Sequence, residues 1–567
     1  MYRSIGNRRR HLRFFIACFM SLSLFFAVLA AQPGQLSAEE NAAVEGPEAA
    51  VGIESPGIFR VGMEANYAPF NWSQMNAANE AVPIANSSGE YANGYDVWMA
   101  RQIAQKLGLQ LEIVKTEWDG LIPALLSGKI DAVIAGMSPT AERLEEIDFS
   151  DIYYSSNLVL VVRKDSPYGQ ASSLEDFAGA RVTGQLNTFH YSVIDQIPGV
   201  QKETAMDAFP TMISALSAGK IDAYVSERPG AMAAVSANPN LACVEFEAEK
   251  GFRTDPADTA IAVGLRKHSP LRETVNRALS EISEDERLQV MDRMIALQIA
   301  EESGGADAAR PEGFFASVGA ILERYWPLFL RGIAMTMLVS VLGTVFGFLI
   351  GLLVQIVRSI RCGNNVVLGR RILVRFFQLL CNIYIEVFRG TPMMVQAMLI
   401  FYGGKLFFNL DMSSLGASLI IVSINTGAYL AETIRGGIDS VDPGQWEACE
   451  AIGLSHWQAM TRIILPQTLK AIIPAIGNEF VINIKDTSVL NVISMTELFF
   501  ATRSVAGTTL KVFQSYFITA VIYFILTFVT TRIINAIGTR RNTVKPFILS
   551  EDGPDAHTNP AAGGAEA

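Results

Sequence analysis

EACEAIGLSHWQAMTRIILPQ, residues 447–467, is a polar, helix-forming stretch set between apolar blocks long enough to lie in a membrane. Ala448 and Ile452 before Gly453, and Trp457, Met460 and Ile464 after it, recur at helical spacing. Gly453 is where the backbone is free to turn. The stretch therefore predicts a short helix, a bend at Gly453 and a second helix. An amphipathic helical hairpin held at a membrane face is suited to pressing against a soluble partner.

The flanks of this stretch read as membrane spans. Leu328–Val357 is interrupted only by Arg331 and Gln355 near its ends, and about 20 apolar residues suffice to cross a bilayer. Arg358, Arg361, Arg370, Arg371 and Arg375 come next, so charge bias puts that loop in the cytoplasm. Further spans are expected near 385–408, 415–434, 471–497 and 513–537. About five crossings starting outside make 325–540 a helical membrane domain, with its 435–470 loop inside. The Gly-, Pro- and Ala-rich residues 541–567 read as a disordered cytoplasmic tail.

The first half differs in texture. Arg3, Arg8, Arg9, Arg10 and Arg13 precede an apolar run from Phe14 to Ala31, so 1–31 reads as a signal peptide or N-terminal anchor that exports the domain behind it. Residues 32–56 read as a disordered acidic tether, and 301–324, with Gly304, Gly305 and Pro311, as a linker. Between them, 57–300 alternates strand-like and helix-like pieces, enough for a two-lobed α/β domain. An internal echo supports two lobes: IPALLSGKIDAV at 122–133 and ISALSAGKIDAY at 213–224. Each reads as a helix ended by Gly128 or Gly219, then a buried strand. The runs 157–162 and 260–265 are expected where strands cross between lobes, leaving a cleft. The five cysteines, at 18, 243, 362, 381 and 449, show no metal-like spacing, and only Cys243 falls in the exported part. A net charge of -11 argues against nucleic acid, and no G-x-x-x-x-G-K-[ST] is present to cradle ATP.

The 447–467 stretch resembles the coupling loop of ABC importer permeases: E-A-A, three residues, G, nine residues, I-x-L-P. Six of those seven positions match, the exception being Cys449. The resemblance implies that Glu447, Ala448, Gly453, Leu465 and Pro466 dock a separate ABC-type ATPase subunit. The soluble half resembles, along nearly its whole length, the type II substrate-binding proteins of polar amino acid importers. The matching residues are Tyr67-Ala-Pro-Phe70, Gly94-Tyr-Asp-Val97, Trp118-Asp-Gly-Leu121, Gly136–Arg143 and Asp148-Phe-Ser150. The implied fold class is an α/β two-lobed, periplasmic-binding-protein-like (type II) domain followed by an all-α transmembrane permease domain. The implied protein is no enzyme and carries no cofactor or metal, with ATP and magnesium on its partner. It is a multi-pass protein of the cytoplasmic membrane, working as a permease homodimer in the lipid bilayer, with the binding domain on the outer face.

A free amino acid loses hydration at its α-carboxylate and α-ammonium in a closed cleft, and each end needs a charged partner. Arg143 offers a planar fork for the carboxylate, and Ser138 and Thr140 offer hydroxyls. The resemblance makes these the carboxylate clamp, with the Gly136 carbonyl available to the ammonium. It also implies that Glu227, in place of the Asp of many relatives, meets the ammonium from the other lobe. Gln185 and Thr188 fall where relatives use a Gly-Thr pair, although Asn187 replaces the glycine. Tyr67 and Trp118 match two aromatic walls, and Glu64 falls on the segment that carries a side-chain reader. A carboxylate there favours arginine, lysine or histidine over glutamine and repels acidic amino acids. Lys485-Asp-Thr-Ser488 and Glu432–Arg435 match permease signatures and place charge at or within spans, where it is expensive and usually functional. The rival readings are an amino-acid-sensing receptor or ligand-gated channel, and a dehydratase-like enzyme on the binding-protein fold.

Overall fold

Both copies of the Gly-Lys-Ile-Asp-Ala echo fold alike in the computed structural model, which describes residues 52–247, 250–254, 259–302, 313–360 and 368–541. Gly128 and Gly219 hold φ of +74° and +69° just past the helices Trp118–Leu126 and Phe209–Ser217, the left-handed turn that glycine adopts most cheaply. Asp131 then accepts the backbone N–H of Arg60 at 3.0 Å, and Asp222 that of Arg181 at 3.0 Å. Arg60 donates to the Gly128 carbonyl at 3.1 Å and Arg181 to the Gly219 carbonyl at 2.9 Å. One arginine-glycine-aspartate brace thus opens a strand in each lobe.

Each lobe is a five-stranded sheet of the same design. Lobe 1 has the order Gln110–Lys115, Ile58–Met63, Ala132–Val133, Ala260–Leu265, Asp148–Ser155, and lobe 2 the order Gln201–Lys202, Arg181–Thr183, Ala223–Glu227, Leu158–Arg163, Leu241–Val244. The first three strands of each are parallel and the last two pairings antiparallel. The chain crosses between lobes at 156–157 and again between Val244 and Ala260; the expected crossing strands themselves each belong to one sheet. The soluble half carries α1 (Tyr95–Leu107), α2 (Trp118–Leu126), α3 (Ala141–Glu146), α4 (Phe189–Ser192), α5 (Phe209–Ser217), α6 (Arg228–Ala237), α7 (Leu271–Ser280) and α8 (Glu284–Glu302).

The second half is helical: α9 (Phe314–Arg358), α10 (Leu368–Gly390), α11 (Met393–Phe408), α12 (Ser414–Asp439), α13 (Pro443–Ala451), α14 (His456–Ala459), α15 (Leu465–Asp486), α16 (Leu498–Thr509) and α17 (Val512–Arg541). By length and apolar composition α9, α12 and Val512–Ala536 of α17 can cross a membrane, and α11 is a shorter apolar helix. Gly343, Gly347 and Gly351 let α9 lie directly on α12. A Cβ on Gly351 would stand 2.8 Å from the Ala431 nitrogen and 2.9 Å from the Gly427 oxygen, which are backbone atoms with no freedom to yield. Asn483 of α15 donates to Thr344 of α9 at 2.8 Å and accepts from Thr426 of α12 at 3.1 Å, tying the three helices through one buried amide.

Several boundaries differ from expectation. The span expected at 385–408 is two helices, because Pro392 lacks an N–H and disfavours helical backbone at Thr391, so α10 ends at Gly390. The span expected at 471–497 stops being α-helical at Asp486 and tightens to 3₁₀ over 487–493 before Ser494 turns with φ +60°. The linker expected at 301–324 is already α9 from Phe314 onward, and 303–312 lie outside the described residues. Gly52 and Glu54, expected in the tether, are held by lobe 1: Arg266 donates to the Gly52 carbonyl at 2.9 Å, and Glu54 N–H to Asp131 at 2.9 Å. The signal or anchor, the rest of the tether and the tail after Arg541 lie outside the described residues.

Candidate functional site

Between the lobes is a narrow, nearly filled cavity lined by Glu64, Tyr67, Trp118, Gly136, Ser138, Arg143, Gln185, Thr188 and Glu227, all expected there from the sequence. The lobes are shut around it. Arg143 on α3 of lobe 1 donates to its own lobe's Ser138 carbonyl at 2.9 Å and across to the Asn187 carbonyl of lobe 2 at 2.9 Å. Asn187 returns a bond to Asp119 at 3.1 Å. It holds φ +57°, a conformation that asparagine tolerates better than most residues, so the loss of a glycine here leaves the loop intact. Arg143 forms no ion pair among the described residues. Burial pushes its guanidinium down to about 10, and the charge of neighbouring Glu142 offsets this only in part. Thr140 stands apart: it caps α3 by accepting from Arg143 N–H at 3.5 Å and does not line the cavity.

Glu227 ends a strand of lobe 2, is 2% exposed and is already partnered. The Tyr67 hydroxyl donates to it from lobe 1, and His190 Nε2 lies 2.9 Å from its Oε1. Burial pushes this carboxyl up, but His190 and the Tyr67 hydroxyl outweigh burial and hold it below its ordinary value. Thr188 donates to the Gln185 carbonyl at 2.7 Å and sits 3.1 Å from His190 Nδ1, so both imidazole nitrogens face oxygen atoms. The aromatic walls are also rearranged. Tyr67 stacks on Phe209 of lobe 2, centroids 4.5 Å apart, while the Trp118 ring lies under the Arg143 guanidinium at 5.1 Å. Sequence reasoning missed His190, Phe189 and Phe209; His190 belongs to no motif, and its one signal is its place two residues after Thr188.

Glu64 is 5% exposed, and its Oε1 has no hydrogen-bond partner. Burial, with Glu117 nearby, pushes its carboxyl up to about 8. The backbone beside it is fixed: Ala65 N–H donates to Asn71 at 2.8 Å, Asn71 to Asp96 at 2.8 Å, and Tyr153 to Asp96 at 2.7 Å. The Gly94-Tyr-Asp-Val97 motif therefore sets the approach of Glu64 to the cavity.

In the helical half, Gly453 turns with φ +72° between α13 and α14. Trp446 stacks on His456 across the turn, centroids 5.1 Å apart. Ser455 and Gln458 form a capping box, and a π-helical stretch, Met460–Ile464, leads into α15 at Leu465 and Pro466. Cys449 is the buried residue of α13, while Glu447 and Ala448 are exposed and Ile452 is 74% exposed at the tip. In the membrane half, Glu432 pairs with Arg358 at 2.5 Å and Arg435 at 2.8 Å, and Arg435 with Asp439 at 2.9 Å, whereas Lys485 and Asp486 are exposed at the end of α15.

A hinged two-lobed cleft with an unpaired arginine, carried on membrane helices with an exposed hairpin, defines a solute-binding domain joined to a membrane-transport domain. Residues 59–294 match the bacterial extracellular solute-binding proteins, family 3, and 366–543 the binding-protein-dependent transport system inner membrane component. The chain is 35% identical over 217 residues to the glutamine transport system permease protein GlnP of Escherichia coli K12, covering 38% of this chain and 93% of that one. It is 33% identical over 223 residues to the L-cystine transport system permease protein TcyB of Bacillus subtilis, covering 39% of this chain and 89% of that one. An arginine-bound amino acid ABC transporter substrate-binding protein from Streptococcus pneumoniae superposes with a TM-score of 0.37 at 28% identity, covering 42% of this chain and 94% of that one. The chain belongs to the amino acid ABC permeases, with a family 3 solute-binding protein fused ahead of the permease. The receptor, channel and dehydratase readings gain no support from these matches.

Proposed function

We propose that this chain is the combined binding and membrane-spanning subunit of an ATP-driven importer for polar amino acids, and that cationic side chains rank ahead of glutamine. The observation that carries the reading is that one closed cleft holds a cation with no paired acid and a buried carboxyl with an unpartnered oxygen. Among the described residues no acid forms an ion pair with Arg143, and Glu64 presents a carboxyl oxygen without a hydrogen-bond partner. In this reading Arg143 and Ser138 hold the α-carboxylate. Glu227 takes the α-ammonium once the Tyr67 hydroxyl gives way to it, with the Gly136 carbonyl, Gln185 and Thr188 completing that end. Glu64 reads the side-chain end. A separate ATPase subunit, with its ATP and magnesium, docks at Glu447, Ala448, Gly453, Leu465 and Pro466, beside the exposed Ile452, and two permease copies face each other in the cytoplasmic membrane with the binding domains outside.

The test is calorimetric titration of the full-length chain in nanodiscs with arginine, lysine, histidine, glutamine and glutamate. Arginine or lysine is expected to bind tightest and glutamate weakest; glutamate binding as well as arginine removes Glu64 as the reader. Arg143→Ala removes one partner of a buried charge pair, worth about 3–5 kcal/mol, and is expected to cost about two to four decades in affinity. A loss below tenfold takes Arg143 out of the site.

A further inference from the structure

The soluble domain does not only hang from the membrane helices; it rests on α16. That helix is fixed to its own half. Glu497 caps it by accepting the N–H groups of Phe499 and Phe500 at 2.8 and 2.7 Å, Tyr523 of α17 donates to Glu497 at 3.2 Å, and Leu498 N–H donates to Thr336 of α9 at 3.1 Å. From this rigid mount, Ser504 donates to Glu90 at 2.7 Å and Thr508 to the Ser73 carbonyl at 2.8 Å, and Gly507 lies against Asn66, where a Cβ would come within 2.4 Å of the Asn66 Cβ. All of these partners belong to lobe 1. So does Lys129, which reaches Asp411 at 3.2 Å and the Met412 carbonyl at 3.0 Å between α11 and α12.

Arg503 is different. One guanidinium nitrogen meets Glu117 of lobe 1 at 2.8 Å, and the other meets Asp207 of lobe 2 at 2.8 Å. Arg503 and Glu117 are 15% and 13% exposed, so that pair is largely withdrawn from water, whereas Asp207 is 51% exposed and its pair stays half open to solvent, as suits a contact that forms and breaks. Glu117 immediately precedes α2 and Asp207 lies just before α5, on opposite lips of the cleft. Among the described residues Asp207 is the only lobe 2 residue that forms an ion pair with the membrane half. When the lobes part, their lips separate, and one planar fork cannot span both carboxylates.

We infer that Arg503 reads closure of the cleft: held to lobe 1 through Glu117, it captures Asp207 only when the lobes are shut, and so distinguishes a loaded binding domain from an empty one already resting on the membrane half. This rests on the importer reading above. Lobe 1 supplies a docking platform independent of ligand, and Arg503 adds the ligand-dependent contact. Neither of its two carboxylate partners lines the cavity, so Arg503 acts as a positioning residue rather than a ligand contact.

The test compares Arg503→Ala, Arg503→Lys and Asp207→Asn in the full-length chain, reconstituted with its ATPase subunit in proteoliposomes. Binding and uptake of labelled L-arginine and L-glutamine are read separately. Loss of the cross-lobe ion pair is expected to lower maximal uptake several-fold in Arg503→Ala and Asp207→Asn. Affinity stays within about threefold, the double variant is no worse than either single one, and Arg503→Lys keeps part of the rate. Charge exchange, Arg503→Glu with Asp207→Arg, recovers uptake relative to Arg503→Glu alone. Normal uptake by Asp207→Asn overturns the inference, as does a loss of affinity that matches the loss of uptake. A wild-type chain that binds no amino acid overturns instead the importer reading, and the binding arm alone reports it.

Discussion

As the proposed reader of the side chain, Glu64 would tie substrate choice to protons. Its carboxyl, pushed up to about 8 by burial and by Glu117, is mostly protonated at pH 7 in the empty cleft. A guanidinium or ammonium arriving beside it favours the charged form, so binding a cationic amino acid at pH 7 is expected to release about 0.9 proton. Affinity should then rise as pH increases towards 8 and level off above it, since the proton no longer has to leave. Glutamine, which a protonated carboxyl satisfies as it stands, should release none. Titrations at pH 7 in buffers of different ionisation enthalpy give the proton count directly; an equal count for arginine and glutamine would mean that Glu64 does not meet the side chain. Single residues were legible wherever a motif constrained them. Arg143, Ser138, Trp118 and Gly136 lie in two short motifs and converge on the cavity, whereas Thr140 has a backbone task that outcompetes ligand contact. His190 and Phe209 were not legible, because a buried histidine and a phenylalanine look like core in any sequence; only the fold brings them to Glu227 and Tyr67. Arg503 was further out of reach, since its two partners lie 386 and 296 residues away.

Among elements, those that obey local chemistry were legible and those set by neighbours were not. The two Gly-Lys-Ile-Asp units carry their own stop signal, strand and brace, so pattern sufficed. The break of α10 from α11 needed closer attention to Pro392, which hydropathy averages away, and the 3₁₀ stretch at 487–493 depends on packing against α11 through the Tyr402 bond to the Val492 carbonyl at 3.2 Å. The hairpin around Gly453 is the element with the clearest consequence. Its φ of +72° costs a non-glycine residue about 1–2 kcal/mol, yet nothing lies within 4 Å of where a Cβ would be. Gly453→Leu should therefore fold, bind ligand normally and fail at coupling, because the turn relaxes and α13 changes its angle to α14. Asparagine tolerates this backbone region, so Gly453→Asn is expected to keep most of the coupling. The measurement is ATP hydrolysis against uptake in proteoliposomes; wild-type ratios in Gly453→Leu would show that the turn is not what transmits the stroke.

For the molecule as a whole, fusion changes what docking has to achieve. α8 ends at Glu302 and α9 begins at Phe314, so residues 303–312 join the two halves with a reach of at most about 35 Å. A short connection of this kind holds a domain at an effective concentration in the millimolar range. The interface needs little affinity of its own under that condition: the lobe 1 contacts through Glu90 and Lys129 are few and polar, and the Arg503–Asp207 pair alone has to form and break in every cycle. A freely diffusing binding domain at about 50 μM should compete poorly, occupying about one docking site in twenty against a tethered rival near 1 mM. An excess of separately produced domain carrying Arg143→Ala is thus expected to leave uptake by the intact chain almost unchanged. Introducing a protease site within 303–312 and cutting it removes the advantage. Uptake by cut proteoliposomes should then fall with dilution, become inhibitable by the Arg143→Ala domain, and disappear on washing. Uptake that survives cutting and washing would mean that the interface alone holds the binding domain in place, and the connection would then serve assembly rather than transport.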